Sequence, residues 1–368
     1  MRRIFFCSLY YLLSTIYYPS FSWSQEIRVL LEYLKNPPTG LDIGPAGLVV
    51  SGNPGKIALS TRTAISIDGG SILVSTATKK LFWKGKPYKG RLEVRRVAGG
   101  RAALIHALDV EEYLYRVLPN EMDATSWPIE ALKAQAVASR SYALYKIGSN
   151  PGEFFDVGTK SNHQVYAWLS ELDLQAKSAV DQTKAQVLLD DQRAVVPGYF
   201  HSCCGGRTED ARDIWSGTGV RSLVSVSDFG ACRTSPHYSW VTTLPAADLE
   251  AAFKRLGYQF QPPIKAFLLG DLTPSRRVIS FKAITGRERL DVPADKLRQV
   301  MGPNWIKSTF VTQIARKDNR FVIYGRGWGH GVGLCQWGAR GMADKRMDYK
   351  KILKRYFPKA AVSTIEES

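Results

Sequence analysis

Short apolar runs broken by turn residues mark the first part of the chain after residue 25. These runs occupy residues 27–31, 47–50, 71–74 and 92–94. Glycine pairs, such as the one at 99–100, separate them. Short runs of this kind with glycine at their ends are typical of strands. We therefore predict an antiparallel β region over residues 25–105.

Helical periodicity replaces this pattern after residue 110. In chain order, the pattern predicts helices at residues 110–118, 128–146 (the longest), 246–256 and within 333–356. Residues 119–126, which hold Glu121, are expected to form a loop. Pro128 fits the first turn of the longest helix, and Glu130 suits its positive end. With short strands elsewhere and no internal repeat, residues 25–368 predict one α+β unit, an antiparallel β-rich scaffold with a few helices.

Arg140 falls in the middle of the apolar stripe of the helix at 128–146. A buried guanidinium needs an anionic or hydrogen-bonding partner, and the loop with Glu121 is the adjacent acidic segment. Lys133 shares the stripe near the helix start, where its side chain could reach solvent. The sequence leaves open whether Arg140 supports the fold or contacts a ligand.

Glycine occupies every second position from 325 to 333. In an extended strand, one face would then be bare backbone and the other would carry Arg326, Trp328, His330 and Val332. The spacing is not that of a dinucleotide fingerprint. An aromatic ring and an imidazole in a groove suit the face of a sugar and its hydroxyl groups. We expect something to pack closely here, either a helix or a ligand, and favour the ligand.

The residues after 200 hold a group of sulfur and imidazole side chains. His201, Cys203, Cys204 and Cys232 are candidate zinc ligands, but their spacing matches no standard zinc pattern. Cys203 and Cys204 are adjacent and poorly placed to bond each other, whereas either could form a disulfide with Cys232. Free thiols are the third alternative. We expect no cofactor, with zinc as the alternative.

The first residues have the order of a secretory signal peptide. Arg2 and Arg3 precede an apolar stretch at 4–18, and a small-x-small pair follows at Ser22 and Ser24. We expect cleavage after residue 24, with an uncleaved membrane anchor as the alternative. Serine and tyrosine make the stretch a poor membrane span, so no stable span is expected after cleavage.

The chain is strongly basic, with a formal net charge of +17. Loss of residues 1–24, which carry two arginines and no acid, leaves +15. Such a charge suits a polyanion. An exported chain rarely meets nucleic acid, and this one has none of the usual nucleic-acid modules. We therefore expect no nucleic-acid partner and a place in the periplasm, the cell wall or the extracellular space.

Several segments together resemble the stage II sporulation protein D family, which includes the wall amidase enhancers. The matching segments are residues 110–122 (VEEYLYRVLPNEM), 127–128, 130–142 (EALKAQAVASRSY), 164–166, 200–202 (FHS), 205–209 (GGRTE), 213–215 and 327–339 (GWGHGVGLCQWGA). The most specific block falls within residues 106–210, and a glycine-rich cleft segment lies within 320–357.

This resemblance implies a lytic transglycosylase that cleaves MurNAc–GlcNAc glycan strands of peptidoglycan and forms 1,6-anhydro-MurNAc. Glu121 takes the position of the general acid and base. The substrate cleft, lined by the longest helix, is expected to draw on Gln135, Arg140, Tyr142, His201, Trp328, His330 and Gln336. Some relatives bind zinc near the position of His201. The alternative is a non-catalytic, glycan-binding enhancer of a cell-wall amidase, which would then be a partner.

A lytic transglycosylase needs a protonated acid near neutral pH, so the pKa of Glu121 must be raised by apolar surroundings. Met122, Trp127 and Trp328 could provide them. Arg140 beside this carboxyl would lower its pKa. We therefore predict that Arg140 holds substrate or a second group rather than Glu121.

Overall fold

A computed structural model describes the chain over a set of ranges. These are residues 25–34, 41–44, 47–50, 56–57, 63–68, 71–84, 86–97, 101–160, 163–167, 171–215 and 221–365. The expected signal peptide, residues 1–24, lies outside the described residues, and its cleavage stays a prediction. Within the described ranges, no helix combines the length and the apolar character that crossing a membrane requires.

The N-terminal part forms the antiparallel β region that the sequence predicts. Its strands are β1 (Glu26–Leu34), β2 (Leu41–Gly44), β3 (Gly47–Val50), β4 (Lys56–Ile57), β5 (Thr63–Asp68), β6 (Ser71–Trp83), β7 (Lys86–Val97) and β8 (Arg101–Asp109). With β9 (Val157–Gly158), they form a sheet in the order β5-β6-β7-β8-β1-β9 and a small sheet β2-β3-β4. Only the pairing of β1 with β9 is parallel among the described strands of these two sheets.

The helices lie in the middle and at the end of the chain. They are α1 (Val110–Glu121), α2 (Ile129–Ser149), α3 (Leu174–Gln182), α4 (Ala211–Ile214), α5 (Ala246–Arg255), α6 (Ala294–Met301), α7 (Gln336–Ala343), α8 (Tyr349–Tyr356) and a 3-10 helix at Ala231–Thr234. The long helix predicted at 128–146 is α2, and the one predicted at 246–256 is α5. The α+β class is therefore confirmed.

Helix α1 extends further than the sequence pattern predicts. The expected loop begins at Pro119, but the helix continues through it to Glu121. Proline lacks the N–H that residue 119 would otherwise donate to the carbonyl four residues earlier, so one intrahelical bond is missing here. The last turn still closes, because the N–H of Met122 donates to the carbonyl of Leu118 at 3.0 Å. Glu121 is therefore the last residue of a helix and does not lie in a loop.

Helix α2 is the central element of the helical part. Apolar side chains such as Leu132, Val137 and Ala138 are fully buried on different sides of it, and it packs against α1, α3, α7, α8 and strand β10 (Gln186–Leu189). A helix that is apolar all round is buried on several sides. The single apolar stripe that the sequence suggests is thus only part of its buried surface.

The remaining strands build smaller sheets. They are β11 (Phe200–His201), β12 (Ser239–Pro245), β13 (Ala266–Leu269), β14 (Ser280–Ile284), β15 (Arg289–Pro293), β16 (Val311–Lys317), β17 (Arg320–Arg326), β18 (Leu334–Cys335) and β19 (Ala361–Thr364). Strands β12 to β17 with α5 and α6 enclose an apolar core of their own, including Phe253, Phe267 and Phe321. We call residues 239–326 the β module. The division of residues 25–368 as a single unit stays a prediction.

Candidate active site

A cleft of about 680 Å³ brings together side chains from the helical part, the glycine-rich segment and the β module. Of the residues that the sequence places at a cleft, it collects Glu121, Tyr142, His201, Trp328, His330 and Gln336. Arg298 and Gln299 of α6 also line it. These residues are far apart in sequence, and the fold alone makes them neighbours.

The carboxyl of Glu121 lies partly buried at the C-terminal end of α1. Burial raises the pKa of Glu121 to about 7, while hydrogen bonds from the backbone of Val165 and from Gln336 lower it. The N–H of Val165 donates to Oε1 at 2.5 Å. No basic residue occupies the last turn of α1, whose end carries the negative pole of the helix dipole and favours a neutral carboxyl. Glu121 therefore exchanges its proton near neutral pH.

His201 presents a free proton acceptor to the cleft. Its Nδ1 lies 3.0 Å from the carbonyl oxygen of Val332, which can only accept, so Nδ1 carries the proton. Burial lowers the pKa of His201 well below its ordinary value, so the ring is neutral. Its Nε2 is buried and has no hydrogen-bond partner among the described residues. A buried acceptor of this kind suits a ligand hydroxyl.

His330 has a different role from His201, because both of its nitrogens are engaged by backbone. The N–H of Val332 donates to Nδ1 at 3.1 Å, and the other nitrogen hydrogen-bonds the backbone of Phe200. Burial, with Arg298 and Arg277 nearby, lowers the pKa of His330 to about 3. His330 therefore contributes a neutral ring surface to the cleft rather than an acid or a base.

Aromatic rings supply much of the cleft lining. Tyr142 of α2 packs edge-on against Tyr199 with ring centroids 5.5 Å apart, and Tyr199 contacts Trp215 at 4.7 Å. Trp328 lies under the ammonium of Lys307, 4.9 Å from the ring centroid. Such surfaces bind the apolar faces of sugar rings.

The glycine-rich segment is not the extended strand that its alternation suggests. Strand β17 ends at Arg326, and the glycines at 327, 329, 331 and 333 all have φ between +72° and +112°. A Cβ on Gly329 would lie 2.7 Å from the Cβ of His201. Glycine is required here by a left-handed backbone and by close packing against the His201 segment. This geometry points both Trp328 and His330 into the cleft lining.

Arg298 is a cleft residue that the sequence does not reveal. It lies in the last turn of α6, where a cation is ordinarily explained by the helix dipole. Its Nε and Nη2 donate to the carbonyl of Lys307 at 3.2 and 3.1 Å. Burial lowers the pKa of Arg298, which still leaves a cation in the cleft. His163 and Tyr199 are further lining residues without a sequence signal, whereas Trp215 belongs to the matching segment 213–215.

Known proteins share these segments. A family model described as stage II sporulation protein matches residues 98–189, which include Glu121 and Tyr142, and a domain of unknown function (DUF8618) matches residues 207–333. The chain belongs to the stage II sporulation protein D family. The first match spans β8 to β10, and the second contains the β module.

Relatives of this family resemble the chain over most of its length. An uncharacterised protein of Brachyspira hyodysenteriae is 34% identical over 257 residues, covering 69% of this chain and 66% of that protein. The amidase enhancer of Bacillus subtilis is 30% identical over 289 residues, covering 66% and 39%. The stage II sporulation protein D of Bacillus subtilis is 28% identical over 280 residues, covering 70% and 76%. The chain thus spans about two thirds of the first relative and well under half of the second.

Arg140 of this family member does not line the cleft. Its side chain is 1% exposed and forms a bidentate pair with Glu111 of α1, from Nε to Oε1 at 2.6 Å and from Nη2 to Oε2 at 2.7 Å. A further bond to the carbonyl of Gln186 joins α2 to β10. Arg140 therefore pairs with Glu111 rather than with Glu121 and is not among the residues that line the cleft, and its expected role in substrate binding stays a prediction.

Gln135, another residue of α2 that the resemblance places at the substrate, also lies away from the cleft lining. It is fully buried on α2 and donates from Nε2 to the hydroxyl of Ser139 at 3.0 Å. It is not among the residues that line the cleft. Because α2 is packed on several sides, matching the family's sequence along this helix does not tell which side faces the substrate.

The zinc ion near His201 that the resemblance implies lacks, among the described residues, a group of ligands around that residue. Within the described part of the chain, His201 belongs to no group of three or more His, Cys, Asp or Glu ligand atoms within 4.8 Å of one another. Such a group consists instead of Cys204, Asp228, Cys232 and Cys335. The four described cysteines are free thiols, so the disulfide considered from the sequence is not formed.

Proposed function

We propose that this protein is an exported lytic transglycosylase that cleaves MurNAc–GlcNAc strands of peptidoglycan. The observation that carries the proposal is the partly buried carboxyl of Glu121, whose pKa burial raises to about 7, in a cleft lined by aromatic rings. At neutral pH, a useful fraction of an acid with this pKa is protonated and can donate its proton. The carboxylate that remains after donation can then act as the base. Export is supported by the signal-like sequence of residues 1–24.

The reaction needs one carboxyl that works twice. Glu121 gives its proton to the oxygen that joins MurNAc C1 to the next GlcNAc, and the C1–O bond breaks. The 6-hydroxyl oxygen of the same MurNAc then bonds to C1, and its proton passes to the Glu121 carboxylate. The products are a 1,6-anhydro-MurNAc end and a GlcNAc 4-hydroxyl, with no water consumed.

The acid content of the cleft supports a transglycosylase over an ordinary glycosidase. Glycosidases commonly use two carboxyl groups on either side of the bond. Glu121 is the sole carboxylate among the described residues that line this cleft. Asp123 is close in sequence but fully exposed and bonded to Thr125 and Ser126.

Other cleft residues have roles that follow from their geometry. The buried Nε2 of His201 would accept a hydrogen bond from a sugar hydroxyl. Tyr142 and Trp328 would contact sugar faces. Arg298 would attract the carboxylate of a muramic acid substituent, in keeping with the net charge of +17. His330 and Gln336 position these groups, because both are bonded to backbone.

The test compares the chain from residue 25 with two variants on peptidoglycan whose peptides have been retained or removed. Glu121→Gln removes the acid, and Asp123→Asn removes an exposed neighbouring acid as the matched control. Mass spectrometry should find anhydro-MurNAc ends with the unchanged chain and with the control only. Loss of a general acid lowers the rate by about 100-fold or more. Equal product from Glu121→Gln would contradict the proposal.

A second candidate function is the stimulation of a cell-wall amidase without catalysis. It is favoured by the 30% identity to a protein named amidase enhancer. In this case, the Glu121→Gln variant would still bind glycan and would still increase peptide release by an added amidase. Neither the unchanged chain nor the variant would form anhydro-MurNAc ends. Product analysis with and without an amidase therefore separates the two functions.

A further inference from the structure

Three thiols and one carboxyl converge in the interior, outside the cleft. The sulfur atoms of Cys204, Cys232 and Cys335 and a carboxylate oxygen of Asp228 all lie within 4.8 Å of one another. The two sulfurs of Cys204 and Cys232 are 3.6 Å apart, and the Cys204 sulfur is 3.2 Å from Asp228 Oδ2. All four side chains are buried.

These distances are close to those of a tetrahedral zinc site. Zinc binds sulfur at about 2.3 Å and carboxylate oxygen at about 2.0–2.2 Å, which places neighbouring ligand atoms roughly 3.3–3.8 Å apart. We propose that Cys204, Asp228, Cys232 and Cys335 bind one zinc ion. Four protein ligands in a buried setting complete its coordination, so the ion is structural and takes no substrate.

The ligands come from separate segments that the fold holds side by side. Cys204 follows β11, and Cys335 ends β18, which pairs in parallel with β11 through His201 and Cys335. Asp228 and Cys232 flank the start of the 3-10 helix, which packs against α7. An ion at this point would join these three chain segments through their side chains.

Backbone donors around the sulfurs favour their metal-bound, anionic form. Cys335 Sγ accepts the N–H groups of Cys204 at 3.1 Å and Gly338 at 3.3 Å, and Cys204 Sγ accepts that of Gly206 at 3.3 Å. Asp228 Oδ2 accepts the N–H of Cys232 at 3.0 Å. Hydrogen bonds of this kind orient ligands and stabilise their charge in metal sites.

A buried cation lies beside the same cluster. Arg277 is fully buried and donates from Nη2 to the carbonyl of Cys204 at 3.0 Å. Its charge is coupled to those of Cys204 and Cys335 and to that of Glu209, which is 4.0 Å away. Three thiolates and a carboxylate around zinc leave net negative charge, which this guanidinium would offset.

The site would support the cleft without entering it. His201 comes three residues before Cys204, and Gln336, which holds the backbone of Glu121, comes directly after Cys335. Cys203 is the adjacent thiol that interacts with Cys232 and Cys335 but lies outside the group of four. Replacement of Cys203 is therefore the matched control for replacement of the proposed ligands.

The experiment measures zinc and free thiols in the full chain, purified under reducing conditions and supplied with zinc before gel filtration. Elemental analysis should give about one zinc per chain for the unchanged protein, for Cys203→Ala and for Asp210→Asn. Asp210 is a buried acid outside the group of four that caps α4 and pairs with Arg212. The Cys232→Ala and Asp228→Asn variants should lose most of the bound zinc. Chelation should lower the melting temperature of the unchanged chain.

Cobalt replacement tests the site without any substitution that could impair folding. Cobalt in the unchanged chain should show thiolate charge-transfer bands and the strong visible absorption of tetrahedral coordination. Absence of these bands and of bound zinc would overturn the proposal. So would a Cys204–Cys232 disulfide in the exported protein, or zinc that is lost with Cys203→Ala and kept with Asp228→Asn.

Discussion

The side-chain amide of Gln336 donates a hydrogen bond to the backbone oxygen of Glu121 at 3.1 Å, across 215 residues of sequence. The bond connects the last residue of α1 to the first residue of α7. Gln336 also hydrogen-bonds the Glu121 carboxyl and lowers its pKa. The glycine-rich segment thus ends on a residue that sets both the position and the acidity of the proposed acid.

Replacement of Gln336 by Ala should therefore alter the pH dependence of glycan cleavage. Loss of the bond raises the pKa of Glu121 above about 7 and moves the alkaline limb of the rate profile to higher pH. The rate at the optimum should fall about tenfold, the value of one hydrogen bond. Gln299→Ala, in the same cleft, is the control. An unchanged profile for Gln336→Ala would show that this bond does not tune the acid.

Replacement of Glu121 by Gln should stabilise the fold at high pH. Because the folded-state pKa is raised above its ordinary value of 4.5 to about 7, Glu121 destabilises the fold progressively as the pH rises through that window. The variant should gain little at pH 4 and on the order of 3 kcal/mol in unfolding free energy at pH 8. Urea unfolding at the two pH values measures the difference, with Asp123→Asn expected to show no such gain. A variant that is less stable at pH 8 would contradict the assigned burial.

Arg140 should matter for stability and not for substrate affinity. Arg140→Met leaves Glu111, whose side chain is 12% exposed, without its bidentate partner. Breaking such a pair costs about 3–5 kcal/mol, and changing Glu111 to Leu as well should restore part of it. Thermal and urea unfolding report this loss. A raised KM in protein that remains folded would instead return Arg140 to the substrate site.

Two reasons for glycine in the cleft segment, the backbone conformation and the close packing, can be tested separately. Gly331 and Gly257 have nearly the same φ, +87° and +88°, but a Cβ on Gly331 would lie 2.4 Å from the guanidinium carbon of Arg277, while Gly257 has open space. Gly257→Ala should cost about 1–2 kcal/mol from its backbone conformation. Gly331→Ala should cost about 1–3 kcal/mol more from the clash. Equal losses in urea unfolding would rule out the packing contribution.

The sequence predicts those strands and helices whose positions are set by the local pattern of apolar and turn residues. The strands before Asp109 and the helix α2 follow from apolar spacing and turn residues. The family motif places Glu121 at the cleft, which it lines, but its position on a helix is not predicted, because Pro119 normally signals a break. The close approach at the alternating glycines is predicted, whereas their left-handed backbone is not.

Long-range packing explains what the sequence does not reveal. Arg140 pairs with Glu111 because α1 and α2 pack together, and no local pattern distinguishes this acid from Glu121. Arg298 reaches the cleft only because the β module brings α6 there. The four zinc-type ligands likewise lie up to 131 residues apart in the chain.

Product analysis in oxygen-18 water tests the central claim most directly. The chain from residue 25 is incubated with peptide-stripped glycan strands in labelled water, and new chain ends are analysed by mass spectrometry. Intramolecular attack predicts anhydro-MurNAc ends without label, formed by the unchanged chain and not by Glu121→Gln. Labelled reducing ends would instead identify a hydrolase, and the absence of new ends in every sample would contradict a catalytic role for Glu121.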